Sequence, residues 1–359
     1  MSQTNTTKKV CCITNGDSLT GFALAYRFMQ AIRQEGEQGK LRLLCRHRSG
    51  YGMTKLEQMG CEIVQVDYMD HDKVCQALKD CSSLLFIPEN SDKRLKEAEC
   101  VMKCAKKEGV EHMAMMSFIG VDKLHHKEEE SAGSEFHNFK EFCQIEKMVQ
   151  EYFSGDKHCI VRHALYNQFF YYLAPRIESE RVLALPVKKD VKWSTVDLND
   201  ICEGVFMLAK KQHQKLRGSQ QEQGEIYHKR TYNFVMHPMP AEHMAREISE
   251  GLQVKELHFK EVSEDEIKQF LKKMKDDKMF QERPSNDNDF KKGKDGYWSF
   301  PIGKFINEKK IETMIEYMRL ANKRCLEDYH DDLEKVLERK PHSMKHYFEV
   351  NRDQFKRFK

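Results

Sequence analysis

No apolar run in these 359 residues approaches the roughly 20 needed to span a bilayer, and the polar start MSQTNTTKK lacks the hydrophobic stretch of a secretory signal. Membrane-spanning and secreted readings are therefore set aside, and the expected location is cytoplasmic, or nuclear in the company of a partner. An excess of charge is also missing. With 60 basic against 57 acidic side chains the net charge is +3, which gives no electrostatic case for direct contact with nucleic acid. Any DNA-related role would run through a protein partner. The 12 cysteines contain no Cys-x-x-Cys pair; Cys11 and Cys12 lie inside an apolar run, and Cys100 and Cys104 stand at helical spacing. That pattern suits reduced, packed thiols rather than a disulfide framework. Among 16 histidines, His125 and His126 sit beside Glu128 to Glu130 without a second ligand cluster, so no metal site is expected. No internal repeat is visible either.

What is present is alternation. From Val10 to Val161, short apolar runs alternate with longer amphipathic stretches, as in βαβ units built on a parallel sheet. Strands are predicted at Val10 to Thr14, Leu41 to Cys45, Glu62 to Val66, Ser83 to Ile87, His112 to Ser117 and Cys159 to Arg162. Phe22, Ala25, Phe28, Met29 and Ile32 recur at helical spacing and predict a first helix over Thr20 to Gln34. Further helices are expected over Thr54 to Gly60, Asp72 to Asp80 with Asp70 or Asp72 as cap, Asp92 to Glu108, and a segment carrying Phe139, Phe142, Ile145, Val149 and Tyr152.

Past Arg162 the alternation breaks. Tyr166 to Leu173 is aromatic-rich, Trp193 to Val196 reads as a strand, Asp200 to Lys210 as a helix, and the polar stretches Lys211 to Glu222 and Gln281 to Gly296 as loops. The segment from Glu308 to Lys359 places Ile311, Met314, Ile315 and Met318 at helical spacing, a packed helical appendage. The expected architecture is α/β: a Rossmann-type doubly wound parallel sheet over residues 1–165, completed by part of 190–235, with a smaller α-rich lobe and helical tail over 166–359.

Between the first strand and first helix stands Asn15-Gly16-Asp17-Ser18-Leu19-Thr20-Gly21. A dinucleotide turn needs backbone N–H groups aimed at a pyrophosphate and a helix N-terminus behind them. Asn15, Ser18 and Gly21 reproduce the spaced-glycine fingerprint with only its last glycine kept. Asn tolerates positive φ and can make the tight turn, Gly21 keeps helix and strand close, and Ser18 crowds the phosphate approach unless its hydroxyl itself donates. The second strand ends in Arg46-His47-Arg48 where an NAD-type site would carry an acid. Two guanidiniums there suit a 2′-phosphate, so NADP(H) is expected over NAD(H).

In order and spacing these pieces resemble the NmrA-like family of atypical short-chain dehydrogenase/reductases. The resemblance extends through Gly60 to Asp67, Met116-Ser117-Phe118-Ile119-Gly120-Val121-Asp122, Phe142 to Glu146 with Cys159 to Gln168, Trp193 to Ile201, and Leu333 to Leu337 with Pro341 to Phe355. It implies a nucleotide contacted by Asn15, Gly16, Ser18, Leu19, Thr20, Gly21, Arg46, Arg48, Asp67, Tyr68, Ile87, Pro88, Ser117, Phe118 and Tyr166. A short-chain reductase also needs a tyrosine acid and a lysine one turn later. The family's lysine position falls here on Phe142, and the residue a turn earlier is Asn138, so that pair is missing. Ser117, His137, Lys140 and Tyr166 remain as candidate catalytic groups, with Asn167 beside the last. The expected function is an NADP(H)-binding redox sensor acting through a regulatory protein such as a transcription factor, with a homodimer allowed. The alternative is an NADPH-dependent reductase of a quinone or small carbonyl compound.

Overall fold

The computed structural model describes residues 10–34, 36–37, 39–124, 135–216, 225–282 and 302–355. His125, His126 and Glu128 to Glu130 lie outside the described residues, as do residues 217–222 and 283–296 of the two predicted loops. The apolar runs become strands β1 (Val10–Ile13), β2 (Lys40–Cys45), β3 (Glu62–Gln65), β4 (Cys81–Phe86), β5 (His112–Phe118) and β6 (His158–His163). Helices α1 (Leu19–Gln34), α2 (Met53–Gln58), α3 (His71–Leu78), α4 (Arg94–Lys107) and α5 (His137–Tyr152) connect them. Asp70, not Asp72, caps α3: its carboxylate accepts from the Lys73 N–H at 3.2 Å.

Strand Thr231–Phe234 joins these six in a seven-stranded sheet of order Thr231–Phe234, β6, β5, β4, β1, β2, β3. The pairs β1–β2, β2–β3, β1–β4 and β4–β5 are parallel. The chain winds outward from β1 to β3, then returns to place β4 on the other side of β1. That reversal is the switch point of a doubly wound sheet, and ligands of such sheets bind beyond the carboxyl ends of the flanking strands. The turn after β1 occupies that position. Cys12, Ile13, Leu43, Leu44 and Cys45 are fully buried. Their continuous apolar sequence follows from a sheet covered on both faces.

By contact pattern the chain forms two compact units, one of residues 1–117, 144–161 and 229–231 and one of residues 118–143, 162–228 and 232–359. In the second, the predicted strand Trp193 to Val196 resolves into two short pairings. Lys192–Trp193 runs antiparallel to Met239–Pro240, and Thr195–Val196 runs parallel to Leu165–Tyr166. The predicted helix at Asp200 to Lys210 extends over Leu198–Leu216, so Lys211 to Leu216 is helical rather than loop. Its Lys and Gln residues are good helix formers, and polarity alone misread them as loop. Helices Glu308–Asn322, Asp332–Leu337, Met344–Val350 and Arg352–Phe355 make up the tail, with Ile311, Met314, Ile315 and Met318 buried as the helical spacing required. Among the described residues no helix is long and apolar enough to cross a membrane.

Candidate functional site

Asn15 adopts φ +55°, the left-handed conformation that the tight turn demands. Four hydrogen bonds hold it and its neighbour Thr14. The Asn15 N–H donates to Tyr68 Oη at 2.7 Å, and its Nδ2 donates to the Pro88 carbonyl at 3.0 Å. Thr14 Oγ1 donates to the Ile87 carbonyl at 3.1 Å and accepts from the Ile87 N–H at 2.8 Å. Tyr68 Oη in turn donates to the Leu44 carbonyl at 3.1 Å, so this buried phenol ties the ends of β1, β2 and β3 together. A Cβ on Gly21 would lie 2.1 Å from the Asn15 carbonyl oxygen, and one on Gly16 would lie 2.5 Å from Leu43 Cγ. Both glycines are sterically required.

Ser18 has a use that its spacing in the fingerprint did not reveal. Its Oγ donates to the Asn15 carbonyl at 2.7 Å and accepts from the Gly21 N–H at 3.0 Å. It is the N-cap of α1, satisfying a donor that a glycine would have left for phosphate. Gly16 N–H is likewise taken, by the Leu44 carbonyl at 2.8 Å, and Ser18 N–H by the Asn15 carbonyl at 3.1 Å. The N-terminus of α1, with its dipole, is the anion-attracting end of the helix. Turn, glycines and helix terminus fit a dinucleotide, with fewer donors on offer than a three-glycine loop provides.

At the end of β2 the electrostatics depart from expectation. Arg46 Nε lies 3.0 Å from Glu89 Oε2, its Nη2 lies 2.6 Å from Glu97 Oε1, and its guanidinium sits 5.4 Å from the Tyr68 ring centroid. Both carboxylates are buried. Burial pushes Glu89 up to about 7 even though Arg46 pulls it down. Burial also opposes the charge on Arg46, but Glu89 and Glu97 outweigh it and raise its pKa. Asp17 reaches across from the turn, its carboxylate accepting from the Arg46 and His47 N–H groups at 3.2 Å each. Arg48 is exposed and paired with Glu57. Asp67 is exposed and accepts from the Met69 N–H at 2.9 Å. An acid near β2 is thus present after all, delivered by Asp17, Glu89 and Glu97, none adjacent to β2 in sequence.

Within the second unit, Asn138 and Phe142 are occupied by structure. Glu316 Oε1 accepts from Asn138 N–H at 3.1 Å and Nδ2 at 2.7 Å, while Oε2 accepts from Phe139 N–H at 3.0 Å. A carboxylate from helix Glu308–Asn322 therefore caps α5. Burial raises the Glu316 pKa against the lowering effect of those bonds. Phe142 meets the Phe118 ring edge-on at 5.0 Å, and Phe118 also packs on His163 at 4.7 Å. His163 stacks on Tyr166 at 4.5 Å, with Tyr166 Oη 3.0 Å from His163 Nε2. Because His163 Nδ1 lies 2.8 Å from the Ala164 carbonyl, which can only accept, Nδ1 carries the hydrogen and Nε2 accepts from the phenol. Burial pushes His163 down to about 4 and keeps the imidazole neutral.

His137 is exposed and lies 3.4 Å from Glu141, whereas Lys140 is half-buried on the same helix. Asn167 Oδ1 accepts from Thr195 Oγ1 at 2.5 Å. Ser117 belongs to the first unit; its hydroxyl is buried and meets no hydrogen-bond partner among the described residues. The structure thus joins Asn15 to Tyr68 and Pro88, and Tyr166 to His163 and Phe118, while His137 and Arg48 face other partners. One group of ligand-type side chains went unread in the sequence: His71, Cys75 and Cys104 present atoms within 4.8 Å of one another. Its signal was a pair of i, i+4 spacings, His71 with Cys75 and Cys100 with Cys104, on successive helices.

Residues 25–168 match the family described as NAD(P)H-binding, a match that begins past the turn. No curated protein sequence matches the chain. Among solved structures the chain is similar to the Citrobacter sp. triphenylmethane reductase complexed with NADP(H), at 17% identity and TM-score 0.66, covering 95% of this chain and 99% of that one. It is also similar to the NADPH-dependent quinone oxidoreductase of Escherichia coli complexed with NADPH, at 15% identity and TM-score 0.65, covering 94% and 98%. NmrA, a negative transcriptional regulator in complex with NADP, aligns at 11% identity and TM-score 0.65, covering 96% and 95%. At these identities the likeness is one of fold.

Proposed function

We propose that this chain, whose residues 25–168 match the NAD(P)H-binding family and whose fold is similar to that of NmrA, holds NADP(H) as a regulatory ligand with little or no turnover. Its occupancy would be read by a protein partner of the transcription-regulator type. The observation that carries this reading is the fate of the two positions where a short-chain reductase keeps its acid and lysine. Asn138 is bound to Glu316, and Phe142 is packed on Phe118. Neither offers a proton. A bound nicotinamide can exchange hydride, and general acid help, typically worth about 10²- to 10⁴-fold, is what these residues withhold.

In this reading the N-terminus of α1 receives the pyrophosphate, and Arg48 with the outer edge of Arg46 receives the 2′-phosphate. The preference for NADP(H) should be modest, because Glu89 and Glu97 already share the Arg46 charge. Calorimetric titration with NADPH, NADP⁺, NADH and NAD⁺, alongside NADPH oxidation with quinones, aldehydes, ketones and flavins, tests both halves. Binding without turnover supports the sensor. Absence of nucleotide binding would remove it.

A reductase is the second reading, favoured by the buried Tyr166–His163 pair. The phenol hydrogen points at His163, which does not prevent it from rotating toward a substrate. Turnover at ordinary enzyme rates that disappears in Tyr166→Phe would establish this reading in place of the first.

A further inference from the structure

The structure assigns a thiophilic cation site, of the zinc type, to the face where α3 meets α4, with His71, Cys75 and Cys104 as its ligands. His71 and Cys75 are one turn apart on α3, and Cys100 and Cys104 are one turn apart on α4, so each pair points along a single helix face. Cys75 Sγ lies 3.7 Å from His71 Nε2 and 3.8 Å from Nδ1. The ligand atoms of His71, Cys75 and Cys104 all lie within 4.8 Å of one another. Zn–S bonds near 2.3 Å and Zn–N bonds near 2.0 Å, set tetrahedrally, separate their ligand atoms by about 3.5 to 3.8 Å. The side chains are therefore gathered at nearly the distance that a tetrahedral ion imposes, with side-chain rotation enough to close the rest.

Cys104 Sγ donates to the His71 carbonyl at 3.2 Å, which ties α4 to the start of α3 at this place. Cys75 and Cys104 are buried, and Cys100 is half-buried. The His71 side chain is 48% exposed and provides the way in from solvent. Two thiols in a dry contact beside a wet imidazole form a donor set that hard cations such as Mg²⁺ avoid and Zn²⁺ favours. The site is separate from the turn, but α3 begins three residues after Tyr68, the phenol that holds Asn15. An ion clamping α3 to α4 would stiffen that support.

Co²⁺ titration of the full chain, stripped with a chelator and kept reduced with a phosphine, tests the assignment. One equivalent should bind with intense thiolate-to-cobalt charge-transfer absorption, and Zn²⁺ should displace it. Cys104→Ala should abolish the band. His71→Ala alters an exposed side chain that the core does not need, and it should weaken binding by about 10- to 100-fold or more. Zn²⁺ should also raise the thermal midpoint of the wild type and not that of His71→Ala. No charge-transfer band, or a band unchanged in both variants, would overturn the proposal.

Discussion

On the proposed reading, the turn after β1 and the aromatic group around Phe118 both depart from an ordinary reductase, and they do so in opposite ways. In the turn the geometry is intact and the donors are spent: Asn15 holds the left-handed corner and Gly21 the close packing, while Ser18, Tyr68 and Leu44 absorb N–H groups. Around Phe118 a helix lies beside a strand end, but Phe142 is taken up in packing and Asn138 in donating to the Glu316 carboxylate that caps α5. The first kind of change lowers affinity by degrees. On the proposed reading the second removes a chemical step. A fold can therefore keep a ligand after it has lost a reaction, because binding is spread over many backbone groups and proton transfer depends on one or two side chains.

The largest effect expected from breaking the turn is that of Gly21→Ala. An added Cβ would stand 2.1 Å from the Asn15 carbonyl oxygen and 2.7 Å from its carbon, both backbone atoms that cannot swing aside. Overpacking of this kind costs up to about 3 kcal/mol or more, and the shift of β1 against α1 should abolish nucleotide binding as well. Urea unfolding and calorimetric titration of the variant check both. An unchanged midpoint would mean that the turn relaxes freely and does not hold the site.

Next comes a pH effect at the Arg46 cluster. Burial lifts Glu89 from its ordinary 4.5 to about 7 in the folded chain, so between those values the folded state holds a proton that the unfolded state has released. The carboxyl's contribution to stability is complete below pH 4.5 and is lost as pH rises through 7, by about 3 kcal/mol in all. Glu89→Gln should flatten that slope in unfolding measurements from pH 4.5 to 8. It should also release Arg46 from one partner and tilt binding toward NADP(H) by about tenfold, the value of a charge-assisted hydrogen bond near 1.5 kcal/mol. A slope that survives the substitution places the titration elsewhere.

On the reaction side the corresponding test is Glu316→Gln. The neutral amide can accept through one oxygen only, leaving at least one of the three N–H groups at the start of α5 without its acceptor. A loss of about 1 to 2 kcal/mol is expected, with nucleotide affinity unchanged. If affinity fell along with stability, the two regions would not be separable.

How far the sequence disclosed these regions follows from the kind of interaction in each. Strand positions and the first turn were legible because local signals govern them: apolar periodicity places β1 to β6, and Asn15 and Gly21 carry their own backbone preferences. Asp70 capping α3 and the buried faces of the tail helices were legible for the same reason. The acids around Arg46 were not, since Glu89 and Glu97 reach it across 43 and 51 positions and their burial leaves no periodic trace. Glu316 capping Asn138 lies 178 positions away and was equally hidden. Lys211 to Leu216 was misread because polarity was weighed above helix propensity. Trp193 to Val196 was misread because one apolar run served two partners.

The smallest and most discriminating test returns to Ser18. Its hydroxyl now occupies the Gly21 N–H and the Asn15 carbonyl, so the turn is closed on itself before any ligand arrives. Ser18→Gly removes that closure at a cost of a few tenths of a kcal/mol, because glycine is itself a tolerable cap, whereas Ser18→Ala costs about 1 kcal/mol. In the glycine variant the Gly21 N–H becomes available to a phosphate oxygen and the crowding of the side chain disappears, so dinucleotide affinity should rise by up to about 1 kcal/mol, roughly fivefold. Alanine frees the same donor but keeps a Cβ in the approach, so its gain should be smaller. Titrating NADPH against wild type and both variants separates the contributions: glycine above alanine above wild type means that the turn is self-satisfied and partly obstructed. A loss of affinity in both variants would instead identify the Ser18 hydroxyl as a phosphate ligand that leaves its partners when the nucleotide binds, and the contrast between a spent turn and a dismantled reaction site would then rest on Phe142 and Asn138 alone.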